Sequence, residues 1–243
     1  MDKIKTVQQE AIAPFNADVS RNRGYLYTTN APLSSTYANQ RITSAVLKEL
    51  DAHDKRVIDI GCGDGTFTVE LFDRAGARSM VGIDPAQEAI EVAQAKKGQR
   101  QIEFLPNSAY DIPWKTDSFD IACLRGVLHH LERPIEALKE ALRVASIVVV
   151  VEPNGYNPGL KLLEKFSDYH VKHHEESYPP PRLDRWVSQI GGVIISRQWI
   201  GFVPFFCPDL IAHALKAIEP VIERLPILNR LCCAQYVFTA HRK

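Results

Sequence analysis

The sequence predicts an α/β domain built on a mainly parallel sheet, from three observations. Short apolar runs alternate with segments of helical spacing through the middle of the chain. One run, residues 147–151 (IVVVV), lacks polar alternation, as a central strand covered on both faces requires. Between a strand-like run and a helical one lies Asp59-Ile60-Gly61-Cys62-Gly63-Asp64-Gly65, where open α/β sheets carry ligand loops.

The elements follow in order. Residues 56–60 (RVIDI), 80–83 (MVGI), 102–105 (IEFL), 119–124 (FDIACL) and 147–151 read as strands. Residues 66–75, 86–96 and 135–144 have helical spacing, so βαβ units are expected. After Glu152 comes a long segment, 154–181, holding Gly155, Pro158, Gly159 and Pro179-Pro180-Pro181. A helix at 182–190 is stopped by Gly191-Gly192, and a strand-like run, 193–203, leads into the apolar stretch PFFCPDLI. Residues 210–225 repeat apolar side chains at helical spacing, and 234–242 (AQYVFTAHR) alternates like a final strand opened by Cys232-Cys233. The first fifty residues form a preamble with Tyr25, Tyr27 and Tyr37, ending in a helix at 41–50.

Composition limits the partners. With 29 Lys+Arg against 29 Asp+Glu, the chain exerts no long-range pull on polyanions, which argues against a nucleic-acid binder. Cys62, Cys123, Cys207, Cys232 and Cys233 are too few and too scattered for a disulfide framework or a zinc site, and no metal is expected. The N-terminus lacks the apolar run of a signal peptide, and no stretch approaches ~18 apolar residues. A soluble, cytoplasmic protein is expected, monomeric or homodimeric, with peripheral membrane contact left open. Without internal repeats or linkers it reads as one domain: cap 1–50, core 51–152, lid-like 153–181, and C-terminal half 182–243.

The glycine loop carries the chemistry. Its glycines run G-x-G-x-G and not the G-x-G-x-x-G of dinucleotide sites. Asp59 sits where a diphosphate would be repelled, and Asp84 ends the next strand, where it can bond a ribose diol. A cofactor without phosphate, carrying a ribose and a cationic amino-acid tail, fits all three features. DIGCGDG followed by GID resembles the first two motifs of the class I S-adenosylmethionine-dependent methyltransferases. Residues 104–144 also resemble the family's small-molecule branch, which contains the ubiquinone/menaquinone-biosynthesis enzymes.

That resemblance covers about residues 47–152 and implies a three-layer, Rossmann-like fold. Its seven-stranded, mostly parallel sheet would have an antiparallel last strand and a helical N-terminal cap. The cofactor would be S-adenosyl-L-methionine. Gly61, Cys62, Gly63 and Gly65 would line its methionine end and ribose, with Asp59 beside the amino group and Asp84 on the ribose hydroxyls. Ile83 and Pro85 would flank the adenine, and Ser108 stands where the family places an acid, followed by Ala109. Arg125 would lie near the methionine end, or else pair with Glu132 or Asp64. In the cap, Tyr27, Tyr25 or Tyr37 would approach the sulfonium, with ordinary packing of the cap on the sheet as the alternative, and Arg41 would lie near the carboxylate.

Methyl transfer needs alignment and, for a hydroxyl nucleophile, a base with a pKa near operating pH. His129, after the fourth strand, is the first candidate; packing against the following turn is the bland alternative. His130 could face substrate, as could His170, His173 and His174 in the lid, where a solvated polar run is the competing explanation. Trp199, Phe202 and Phe205, broken by Pro204 and Pro208, are expected to wall an acceptor pocket, or with the helix at 210–225 a dimer or membrane face. The expected reaction is methyl transfer to a biosynthetic small molecule, at oxygen first, with apolar or sugar-containing acceptors in view. N- or C-methylation of a small molecule or lipid quinone, and a catalytically silent cofactor-binding protein, stand as alternatives.

Overall fold

The computed structural model describes residues 28, 31–166 and 176–243. In chain order the elements are α1 (Leu33–Glu49), β1 (Arg56–Ile60), α2 (Thr66–Ala75), β2 (Ser79–Asp84), α3 (Gln87–Lys96), β3 (Ile102–Pro106), β4 (Phe119–Arg125), a 3-10 turn (Leu128–His130), α4 (Pro134–Val144), β5 (Ala145–Pro153), α5 (Pro158–Phe166), α6 (Pro180–Gln189), β6 (Gly192–Ile200), α7 (Asp209–Arg224), α8 (Pro226–Cys232) and β7 (Gln235–Arg242). The strands form one seven-stranded sheet ordered β3-β2-β1-β4-β5-β7-β6. All run parallel except β7, which inserts antiparallel between β5 and β6. This is the expected fold class.

Period-two alternation along the strands builds a core on each side of the sheet. Val148 and Val150 of β5 join Ile58 and Ile60 under α4 and α6, while Val149 and Val151 join Val57 under α1, α2 and α3. Covered on both faces, β5 tolerates no polar alternation. Helix α1 buries Ile42, Ala45 and Val46, and each larger one contributes about 1.5–3 kcal/mol if fully withdrawn from water.

Four boundaries differ from expectation. Helix α1 starts at Leu33, well before residue 41, because Ser34 and Ser35 bond the Phe205 carbonyl and turn a polar stretch inward. Segment 158–166, punctuated by Gly and Pro, is helical, since Pro158 occupies a first-turn position where no N–H is needed. Cys232 ends helix α8 instead of opening the last strand. The strand-like run 193–203 stops at Ile200, where Gly201 takes φ +79° and redirects the chain.

Candidate active site

The order of strands reverses between β1 and β4, and the crevice at their carboxyl ends is where such sheets bind ligands. The loop from β1 reaches it with Gly61 and Gly65 at φ +77° and +73°. A Cβ on Gly61 would lie 2.5 Å from Val127 Cγ2, and one on Gly65 2.7 Å from the Ala93 Cβ, so both positions exclude larger residues.

The loop amides are already engaged. Gly61 and Cys62 donate to the Ile83 carbonyl (2.7 and 3.0 Å), Gly65 to the Cys62 carbonyl (3.1 Å), Gly63 to Asp84 (3.0 Å) and Thr66 to Asp64 (3.1 Å). A diphosphate would find carboxylates there and no ring of free donors, contrary to what an anion cradle needs. Asp59 is buried, accepts the Thr68 hydroxyl at 2.6 Å, and is pushed up to about 6 by burial, against the Thr68 bond and the Arg125 charge. Burial also takes Asp84 to about 6, opposed by the Ala86 and Gly63 amides. Burial acts on Asp64 in the same direction, but Thr28 and Lys96 outweigh it and hold its carboxyl below the usual range. Two acids thus sit at the carboxyl ends of the neighbouring strands β1 and β2, with accepting capacity beyond the bonds named.

Beside the loop stands the turn after β4. Glu152, fully buried at the end of β5, accepts the Val127 and Leu128 amides on one oxygen (2.9 and 2.7 Å). Its other oxygen takes the His129 amide (3.1 Å) and lies 2.9 Å from His129 Nδ1. That contact suits an Nδ1–H donated to the carboxylate, and in the neutral ring with that tautomer Nε2 is the acceptor nitrogen. The His130 ring packs 3.9 Å from that of His129. Both histidines line a cleft of about 600 Å³ with Glu132, Arg133, Tyr178 and Trp186. Sequence reasoning missed Glu152, and the only available signal was an acid ending the most apolar strand.

Residues 58–147 match the family model for a methyltransferase domain. Over those residues the chain is similar to methyltransferase domains. It is 32% identical over 110 residues to an uncharacterized methyltransferase of Schizosaccharomyces pombe, covering 42% of this chain and 37% of that one. It is 34% identical over 108 residues to the tRNA U34 carboxymethyltransferase of Pseudomonas paraeruginosa, covering 41% and 33%. The chain therefore spans about a third of the length of these curated relatives. The magnesium protoporphyrin IX methyltransferase of Synechocystis, solved with bound S-adenosylhomocysteine, superposes with TM-score 0.62 at 16% identity, over 88% of this chain and 89% of that one. A chain of the Haloferax volcanii complex of the Trm112 methyltransferase activator with a methyltransferase gives TM-score 0.69 at 15% identity, over 93% and 96%.

The donor set of this methyltransferase domain fits its cofactor: acids for a diol and a cationic amine, with no free amide ring for phosphate. Pro85 follows Asp84 at the exposed mouth. Ser108 and Ala109 follow the end of β3, tied to Asp84 by an Asn107 amide bond to its carbonyl, and the Ser108 hydroxyl accepts the Tyr110 amide (3.2 Å) while keeping its own O–H to donate. The Cys62 thiol is buried and pushed far up by that burial. Ile83 is buried in the core under the loop. Arg125 bonds Thr43 (2.9 Å) and Asn39 (3.0 Å) of α1 and lies 3.5 Å over the Phe67 ring, which ties cap to core.

Two expectations are corrected. Arg41 lies on the opposite side of α1 from Asn39 and Thr43, about 200° away, and is clamped by Glu223 at 2.7 Å. It faces α7, not the crevice. Trp199 stacks on Tyr236 at 5.1 Å on edge strand β6, four strands from β1 and so about 19 Å across the sheet. Phe202 and Phe205 follow it: the Phe202 amide bonds Glu219, and the Phe205 carbonyl is held by α1, so the three do not wall the His129 cleft. Tyr27, Tyr25, His170, His173 and His174 lie outside the described residues.

Proposed function

We propose that the protein, acting as a single domain, transfers a methyl group from S-adenosylmethionine to a small-molecule acceptor at oxygen. His129, held by Glu152 at the edge of the cleft, carries this reading. The cofactor, when bound, supplies a methyl group already activated by its sulfonium. The chain's own work is alignment, exclusion of water and proton removal. Asp84 takes the ribose hydroxyls, Asp59 the amine, and the glycine loop lies along both. His129 Nε2 accepts the acceptor's hydroxyl proton. The acceptor rests against Tyr178, Trp186 and His130, which suits a planar molecule.

Formal charge of zero supports a small acceptor over RNA, although curated relatives include tRNA enzymes. Five free cysteines go with the reducing cytoplasm. Incubating the protein with methyl-labelled cofactor and either a metabolite extract or a tRNA fraction tests the proposal. Label in a small metabolite is expected. Label in tRNA overturns the acceptor class, and binding without transfer to either overturns the enzymatic reading.

A further inference from the structure

Helix α7 buries acids beside Ala212 and turns much of its apolar surface outward. Its buried side carries Glu219, which accepts the Phe202 amide at 2.9 Å and pairs with Lys216, and Glu223, which accepts the Gly201 amide and clamps Arg41. Its outward side carries Leu210, Ile211, Ile218 and Val221, with Leu210 83% and Val221 57% exposed. Helix α8 buries no residue and adds Ile227, 73% exposed, and Leu231. An amphipathic helix normally packs its apolar stripe on the core. Here the acids hold the helix to the 201–203 bend, and the stripe faces out.

The charges around this face have one sign. Arg224 of α7, Arg230 of α8 and Lys165 of α5 have no carboxylate partner among the described residues, and Arg230 lies 5.1 Å over the Trp199 ring. Glu164, Glu219 and Glu223 are all engaged in ion pairs, which leaves Asp209 as the outward acid on the three helices. Beside the apolar rows, Arg224 and Arg230 line a groove of about 470 Å³ at the β6 edge, together with Arg41 and Trp199. A second copy seated by two-fold symmetry would set these cations near their own kind with almost no acid to meet. An anionic lipid surface meets both halves, acyl boundary for the leucines and headgroups for the arginines.

We infer that the outward face of α7 and α8, with the arginine groove beside it, docks the protein on an anionic membrane surface. The assignment does not depend on the acceptor's identity. No helix among the described residues is long and apolar enough to cross a membrane, so the contact is interfacial.

Sedimentation of the full chain with lipid vesicles tests it. Binding is expected to vesicles of phosphatidylcholine with phosphatidylglycerol, to weaken with salt, to persist in soluble inorganic phosphate at matched ionic strength, and to be absent with phosphatidylcholine alone. Arg224→Ala with Arg230→Ala should lower partitioning roughly thirtyfold. Ile218→Asp with Val221→Asp should abolish it; both sites are exposed, and circular dichroism confirms the fold. No binding to the anionic vesicles, or binding unchanged in the variants, overturns the inference. A dimer in light scattering that Ile218→Asp dissolves also overturns it, in favour of a second copy.

Discussion

Asp59 carries a cost to the fold that its proposed use at the cofactor amine would account for. Its carboxyl moves from 3.8 to about 6 through burial, so the folded state holds the proton more tightly than the unfolded chain. That stabilisation is present below pH 4 and disappears as pH rises through 6, a loss of roughly 3 kcal/mol for this group in the cofactor-free protein. Asp59→Asn should therefore stabilise the cofactor-free protein at pH 7 by about 1–3 kcal/mol in urea unfolding, while weakening cofactor binding. Wild-type affinity for S-adenosylmethionine should rise as pH passes 6 and Asp59 and Asp84 ionise; a flat calorimetric profile from about pH 5 to 8 would detach both acids from the cofactor. Asp84→Ala should remove measurable binding. In the proposed reaction Glu152 would act through His129, and Glu152→Gln puts an amide against three backbone donors and should destabilise by about 1–3 kcal/mol. Nitrogen-15 NMR should show His129 protonated at Nδ1 in the wild type and mixed in that variant, whereas an unchanged tautomer would reduce Glu152 to a packing role. With an acceptor in hand, His129→Ala should cut turnover by roughly 10²–10⁴ at unchanged cofactor affinity.

Among elements, the two loops flanking the strand reversal behave as one unit because Gly61 leaves room for Val127. Gly61→Ala would combine a left-handed backbone at +77° with a 2.5 Å contact, and should cost about 2–5 kcal/mol in thermal or chemical unfolding. Adding Val127→Ala should return the packing share of that cost and leave the backbone share. Full rescue would mean that the left-handed conformation is not enforced. The strands were legible because β-branched runs such as 147–151 alternate with helical spacing, and the DIGCGDG loop because glycine spacing and acids act locally. Glu152 was not legible, because its importance comes from β4 and β5 lying side by side, which brings a strand-end acid under a turn more than twenty residues earlier. Helix α8 was hidden by its short, proline-led segment. The period in 210–225 revealed an apolar stripe but not its direction, which Glu219 and Glu223 decide through amides of a distant bend.

Across the whole molecule, the crevice and the outward helical face are carried by opposite parts of one sheet, the first between β1 and β4 and the second beyond β6. Buried β5 and β7 stand between them, with Val149, Val150, Val237 and Phe238 at most barely exposed, so local opening at one site need not reach the other. Hydrogen exchange separates the two. Saturating S-adenosylmethionine at about a hundred times its Kd should stabilise the fold by about 2.7 kcal/mol. Protection should concentrate in the glycine loop, in residues 84–86 and 107–110, and in the turn 126–130, where amides sit on or beside Asp84 and Glu152. Exchange in 209–232 should stay as it was, since its amides bond within α7 and α8 and touch no crevice residue in the contacts that hold Glu219 and Glu223. Protection centred on 209–232 would move the cofactor to the arginine groove and dissolve the division of labour between the two ends of the sheet.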